Sequence, residues 1–178
     1  MLHILGIVAA VLIAILLLVL VVASTRPGAF EVKRSKTLRA TPDRIFSFLN
    51  DFHQWPTWSP WEKLDPGMTR THSGAASGKG AIYAWKGNKK VGEGRMEILD
   101  SAAPAKVTIK LDFFKPFEAH NTAEFTLQAK GPETELTWAM RGSQPFMMKV
   151  MSLFMNMDQM IGKDFETGLA NLKAAAEA

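Results

Sequence analysis

Val107-Thr108-Ile109-Lys110-Leu111-Asp112-Phe113 decides the fold. Apolar and polar residues alternate along it, the period of a strand with one face on a core and the other in water. The same parity recurs downstream. Ala123, Phe125 and Leu127 alternate with Thr122, Glu124, Thr126 and Gln128, and Leu136, Trp138 and Met140 alternate with Glu135, Thr137 and Arg141. Gly87-Asn88 lies between the apolar runs 81–86 and 91–99, and Gly131-Pro132 lies between two later ones, so hairpins are the natural connections. Residues 69–141, with an earlier strand over Phe30 to Arg39, predict a sheet of about six or seven strands with one apolar face.

Two helical patterns flank this sheet. Thr41-Pro42-Asp43 reads as a helix start, with Thr41 as cap, Pro42 at the first helical position and Asp43 complementing the dipole. Ile45, Phe46, Leu49 and Phe52 give that short helix an apolar face. From Pro145 to Lys173, apolar residues recur at three- and four-residue spacings, which predicts one amphipathic helix of about 40 Å. Of the ten methionines, Met147, Met148, Met151, Met155, Met157 and Met160 fall in its first half. Plain core packing accounts for them; so does a deformable apolar cavity, because methionine adapts to irregular shapes.

Trp55-Pro56-Thr57-Trp58-Ser59-Pro60-Trp61 places three indoles in a proline-broken segment that fits neither a helix nor a central strand. Pro56 and Pro60 push their preceding residues toward extended conformations, which predicts an irregular or polyproline-like run. Three readings stand: the indoles cap the core, rim an apolar cavity, or sit at a membrane interface where tryptophan is enriched. On the first strand Arg34 and Lys36 share parity with Phe30, Val32 and Leu38. A guanidinium directed from that face into a cavity suits a carboxylate or phosphate held bidentately, whereas a one-residue bulge puts it in water.

The run from Leu2 to Ala23 is almost wholly Leu, Ile, Val and Ala, and carries no charge. At about 1.5 Å per residue it reaches roughly 33 Å, enough for a hydrocarbon core of about 30 Å. Val21-Val22-Ala23 before Ser24 resembles a signal-peptide cleavage site. The apolar stretch, however, exceeds the usual h-region and no Lys or Arg precedes it, which favours an uncleaved single-pass anchor over residues 1–25. Arg26, Lys33, Arg34, Lys36 and Arg39 follow it, so the positive-inside rule predicts an inner-membrane protein whose C-terminal part, residues 26–178, is cytoplasmic.

Every Lys, Arg, Asp and Glu lies beyond residue 25, and the net charge is +4. That mild excess suits anionic headgroups better than nucleic acid, which needs a clustered basic face. The chain has no cysteine, which excludes thiolate metal ligands and a thiol nucleophile. Gly74-Ala75-Ala76-Ser77-Gly78-Lys79-Gly80 fails the phosphate-loop spacing and lacks its Ser or Thr. The histidines are too scattered to predict a metal site, and no cofactor is expected. His53, His72, Glu62 and Asp65 are candidates to gather at one rim as acid and base, against the plainer reading that they are solvated loop residues.

The order of elements resembles the helix-grip fold of the START and polyketide cyclase superfamily, SRPBCC. The likeness rests also on Val32-Lys33-Arg34-Ser35, Ala40-Thr41-Pro42-Asp43-Arg44-Ile45-Phe46, Trp58-Ser59-Pro60-Trp61-Glu62-Lys63-Leu64-Asp65-Pro66, Ser73-Gly74 with Gly78-Lys79-Gly80, Trp85-Lys86-Gly87-Asn88 and Met160-Ile161-Gly162-Lys163-Asp164-Phe165-Glu166. These strings look like its membrane-anchored bacterial branch. The resemblance implies an α+β domain whose curved antiparallel sheet wraps a long C-terminal helix, with a cavity between them for a hydrophobic small molecule or lipid. It carries no shared catalytic motif. Joined to the residue reading, it nominates Arg34, Trp55, Trp58, Trp61, Tyr83, Phe113, Phe125, Trp138, Met140, Met147, Met151 and Phe154 as ligand-binding. A cyclase or dehydratase on a polyketide-like or aromatic substrate, and a co-chaperone-like interaction module, are the alternatives.

Overall fold

The structure, a computed structural model, describes the backbone of residues 1–178 and every side chain but that of Leu2. Helix α1 (Leu2–Ser24) leads into strand β1 (Ala29–Leu38) and helix α2 (Pro42–Leu49). Six strands follow: β2 (Thr69–Gly74), β3 (Ala81–Lys86), β4 (Glu93–Ala102), β5 (Lys106–Lys115), β6 (Ala119–Lys130) and β7 (Glu133–Ser143). Helices α3 (Phe146–Met151) and α4 (Met157–Glu177) close the chain. All seven strands form one antiparallel sheet in the order β1-β7-β6-β5-β4-β3-β2. This is the helix-grip architecture, with α4 lying on the concave face.

Alternation sets which residues that face presents. Val107 and Ile109 of β5, Phe125 of β6, and Leu136 and Trp138 of β7 are buried toward α2 and α4, which return Ile45, Leu49, Phe165, Leu169 and Leu172. Two α4 glycines let the helix come close. A Cβ at Gly168 would stand 2.8 Å from Cζ3 of Trp138, and one at Gly162 would collide with the Arg34 guanidinium. Trp138 and Phe165 stack there with centroids 4.1 Å apart and planes 7° from parallel.

Two expected elements differ. The predicted single helix from Pro145 to Lys173 is two helices, broken over 152–156. The Asn156 side chain accepts the Gln159 N–H at 3.0 Å and caps a new start, so the methionine-rich part turns away from the axis of α4. The tryptophan segment is not extended: it forms 3₁₀ turns over Phe52–Thr57 and Pro60–Lys63. Asp51 caps the first by accepting the His53 N–H, and Pro60 starts the second, where its missing N–H costs nothing.

Helix α1 is long and apolar enough to cross a membrane: residues His3–Ser24 have a mean hydropathy of 3.5. It packs against α3, and its Ala23 is fully buried. The close approach at Gly168 yields a test. Gly168→Val should lower unfolding stability by about 1–3 kcal/mol, the usual cost of overpacking, although valine is the better helix former. Urea denaturation followed by tryptophan emission reads it, and unchanged stability would mean that α4 is not seated this closely.

Candidate functional site: an apolar cavity beneath the C-terminal helix

The concave face divides into two halves along the strands. Toward the C-terminal end of α4, Leu38, Leu136, Phe125, Leu169 and Leu172 fill the space completely. Toward the end from which α4 starts, the walls part and leave a partly open cavity of about 330 Å³. That volume lies at the lower end of the range for small-molecule sites. Its floor is sheet: Phe30 of β1, Tyr83 and Trp85 of β3, Met96 of β4, Leu111 and Phe113 of β5, and Trp138 and Met140 of β7. Trp55 and Trp61 close one flank, while Met148 of α3 and Met157, Ile161 and Phe165 of α4 form the roof.

Only a few polar side chains reach this wall: Ser59, Glu62, Lys90, Asn121, Ser143 and Asp164. Glu62 is already engaged. Its carboxylate accepts the Tyr83 hydroxyl at 2.5 Å and Nε of Arg70 at 2.7 Å. Burial, and then the hydrogen bond to Glu62, push the Tyr83 hydroxyl well above its ordinary pKa, so it is a fixed donor and not a base. His72 lies against Tyr83 with centroids 5.0 Å apart and stacks on His53 at 4.2 Å. Burial, and then the neighbouring His53, lower its pKa. His53, His72 and Glu62 thus gather on one flank, but neither histidine lines the cavity. Asp65 is elsewhere, accepting the backbone N–H groups of Gly67 and Asn88.

Two further polar groups belong to residues of this wall: the carboxyl of Asp164, itself an exposed residue, and the indole N–H of Trp138. Desolvation holds the Asp164 carboxyl above its ordinary value, partly offset by a hydrogen bond from Trp61. Nε1 of Trp138 is buried and has no hydrogen-bond acceptor. A buried donor left unpaired costs about 1–3 kcal/mol, and this one lies within the aromatic packing of the wall, shut off from the open space. Among the described residues, no three His, Asp or Glu side chains converge as metal ligands would.

Of the residues nominated from sequence, Trp55, Trp61, Tyr83, Phe113, Trp138 and Met140 stand on the cavity wall. Trp58 and Phe125 lie behind it, each 0% exposed. Trp58 packs on Trp55, Phe125 and Trp138, and its Nε1 donates to the Phe48 carbonyl, so it caps the filled half. Met147, Met151 and Phe154 are 69%, 42% and 74% exposed, because the break at 152–156 turns them outward and leaves Met148 and Met157 to face in. Arg34 keeps the expected parity yet is not on the wall. Its guanidinium bonds Asp158 at 2.9 Å and Glu166 at 2.9 Å, clamping β1 to α4.

Asn121, Asp164 and Trp85 were absent from the nominated set. A signal for Asn121 existed, since it holds the apolar parity of Ala123, Phe125 and Leu127 and is buried. Asp164 sits on the polar side of an amphipathic pattern and carried none.

Residues 29–177 match the family model described as polyketide cyclase / dehydrase and lipid transport. No curated protein matches the chain. Solved structures share the fold at low identity. Ginseng major latex-like protein 151 from Panax ginseng is 12% identical, with 85% of this chain and 100% of that one covered at a TM-score of 0.62. BexL, a di-domain ARO/CYC of the BE-7585A biosynthetic pathway, is 11% identical, covering 88% and 53% at 0.61. The Aha1 protein of Colwellia psychrerythraea, solved as a dimer, is 15% identical, covering 83% and 96% at 0.56. With the cavity between sheet and helix and the match over nearly all of the chain beyond α1, this protein belongs to the polyketide cyclase / dehydrase and lipid transport family of the SRPBCC superfamily.

Proposed function

We propose that the protein binds one hydrophobic small molecule or lipid in this cavity while α1 tethers it to a membrane. The observation that carries the reading is the cavity itself: a partly open space of about 330 Å³ beneath α4, walled by aromatic rings and methionines. Burying apolar ligand surface there returns about 25 cal/mol per Å². The Asp164 carboxyl supplies a polar group on an otherwise mostly apolar wall, so the fitting ligand is mostly carbon with one polar group. The tether rests on the length and apolar composition of α1, and the basic residues that follow it support a cytoplasmic domain.

The likeness to an ARO/CYC protein and the carboxyls of Glu62 and Asp164 on the wall favour, as a second reading, a cyclase-type reaction on a polyketide-like substrate. Glu62 is a poor acid or base while it holds both Tyr83 and Arg70, so this chemistry falls to Asp164. Turnover lost in Asp164→Asn with ligand binding retained would favour this reading over simple carriage.

Native mass spectrometry of full-length protein in mild detergent should show a co-purified hydrophobic molecule small enough for this space, and Ala123→Phe should fill the space and cut its occupancy about tenfold or more. Ligand-free protein would sink the proposal. Binding should also depend on pH. An apolar occupant desolvates Asp164 further, which favours the neutral acid, so affinity should rise as pH falls through its raised pKa. Asp164→Asn should flatten that dependence, and an unchanged pH profile in the variant would place Asp164 outside the bound state.

A further inference from the structure

One end of the sheet collects features that the cavity does not use. Strand pairing brings together there the start of β1, the end of β7, the β5–β6 hairpin and the β3–β4 loop, because Ala29 pairs with Ser143, Phe113 with Ala119, Lys115 with Glu93 and Glu93 with Lys86. Helix α1 ends only a few residues before β1, so this is the end that faces whatever surface α1 leaves. The cavity lies at the same end, since Phe30, Phe113, Ala119, Ser143 and the loop residues Lys90 and Val91 all line it.

Large apolar side chains stand in water at this end. Phe117 at the hairpin tip is 77% exposed and Phe114 is 47% exposed. Phe146, Met147 and Met151 of α3 and Phe154 beyond it are also exposed, and α3 packs directly against α1. Around them lie Arg26, Lys89, Lys90 and Lys149. Of the carboxylates here, Glu93 pairs with Lys115 at 3.0 Å and Asp158 with Arg34 at 2.9 Å, while Glu118 beside Phe117 meets only the His120 ring at 3.3 Å and Asp65 accepts the Asn88 N–H. Exposed apolar tips with several basic side chains around them are the chemistry of an interfacial membrane contact.

We infer that this end of the domain docks on the bilayer, inserting Phe117, Phe154 and the outer face of α3 among acyl chains while Arg26, Lys89, Lys90 and Lys149 meet anionic headgroups. The cavity then meets lipid directly. Met148 and Met157, which roof the cavity, belong to the same stretch of chain as Met147, Met151 and Phe154, which enter the membrane. A lipid bilayer, and not a protein partner, is the occupant because α1, which packs on α3, runs out of this face as a span. The inference rests on the membrane tether proposed above and extends it from attachment to orientation.

The absence of cysteine makes the test clean. Full-length Phe117→Cys, Phe154→Cys and Lys79→Cys variants, each carrying an environment-sensitive fluorophore, are reconstituted in phosphatidylcholine vesicles with and without phosphatidylglycerol. Lys79 is an exposed control at the opposite end, in the β2–β3 connection. Labels at 117 and 154 should be quenched several-fold more by nitroxide-bearing lipid than the label at 79, and more strongly with phosphatidylglycerol present. Protein that floats with the vesicles but leaves all three labels equally in water overturns the docking and leaves the tether intact. Protein that does not float overturns the tether and the docking with it. Quenching that ignores phosphatidylglycerol overturns the role given to the basic side chains. All three labelled sites are exposed, and native tryptophan emission verifies that each variant is folded.

Discussion

The seating of α4 on the concave sheet is the constraint from which the other features follow. One stack, Phe165 on Trp138, fixes the depth of contact, and Gly162 and Gly168 permit it by presenting no side chain where Arg34 and Trp138 cross the helix. Arg34 fixes the position along the axis by bonding carboxylates two turns apart, Asp158 and Glu166. Leucine and phenylalanine fill the end toward the C-terminus, and the other end stays open.

The open end is where the chain leaves the regular geometry of α4. Asn156 caps the helix afresh, so the residues before it do not continue along the sheet but fold over the cavity and back against α1. The same break gives one short methionine-rich segment two faces, Met148 toward the cavity and Met147 and Met151 toward the outside. A continuous helix would have buried one stripe only. Flexible, polarizable methionine suits a wall that must accept an irregular occupant.

How much of this was legible in the sequence depends on the range of the interactions involved. Period-two alternation carried the strands of the sheet, their hairpins and the apolar face, because parity is local and burial follows from it. The Thr41 cap and the α2 face were legible for the same reason: Thr41 accepts the Arg44 N–H three residues on. The fate of Arg34 was not, since its parity was readable but its partners Asp158 and Glu166 lie more than a hundred residues away. Nor was the break in the last helix, because apolar spacing continues across 152–156 and the only local signal is Asn156. The tryptophan segment divided along a line no periodicity marks: Trp58 went to the packed half, Trp55 and Trp61 to the cavity flank.

The central claim is that the half-space bounded by Trp55, Trp61, Trp85 and Trp138 is occupied by an apolar molecule, while the half capped by Trp58 is solid protein. The five indole N–H groups report on both halves at once. Their ¹⁵N–¹H resonances, recorded on full-length protein before and after extraction of bound lipid, test it most directly. The account predicts that the wall indoles Trp55, Trp61, Trp85 and Trp138 move and that Trp58, whose N–H donates to the Phe48 carbonyl, stays fixed. Five resonances unchanged by extraction would contradict it.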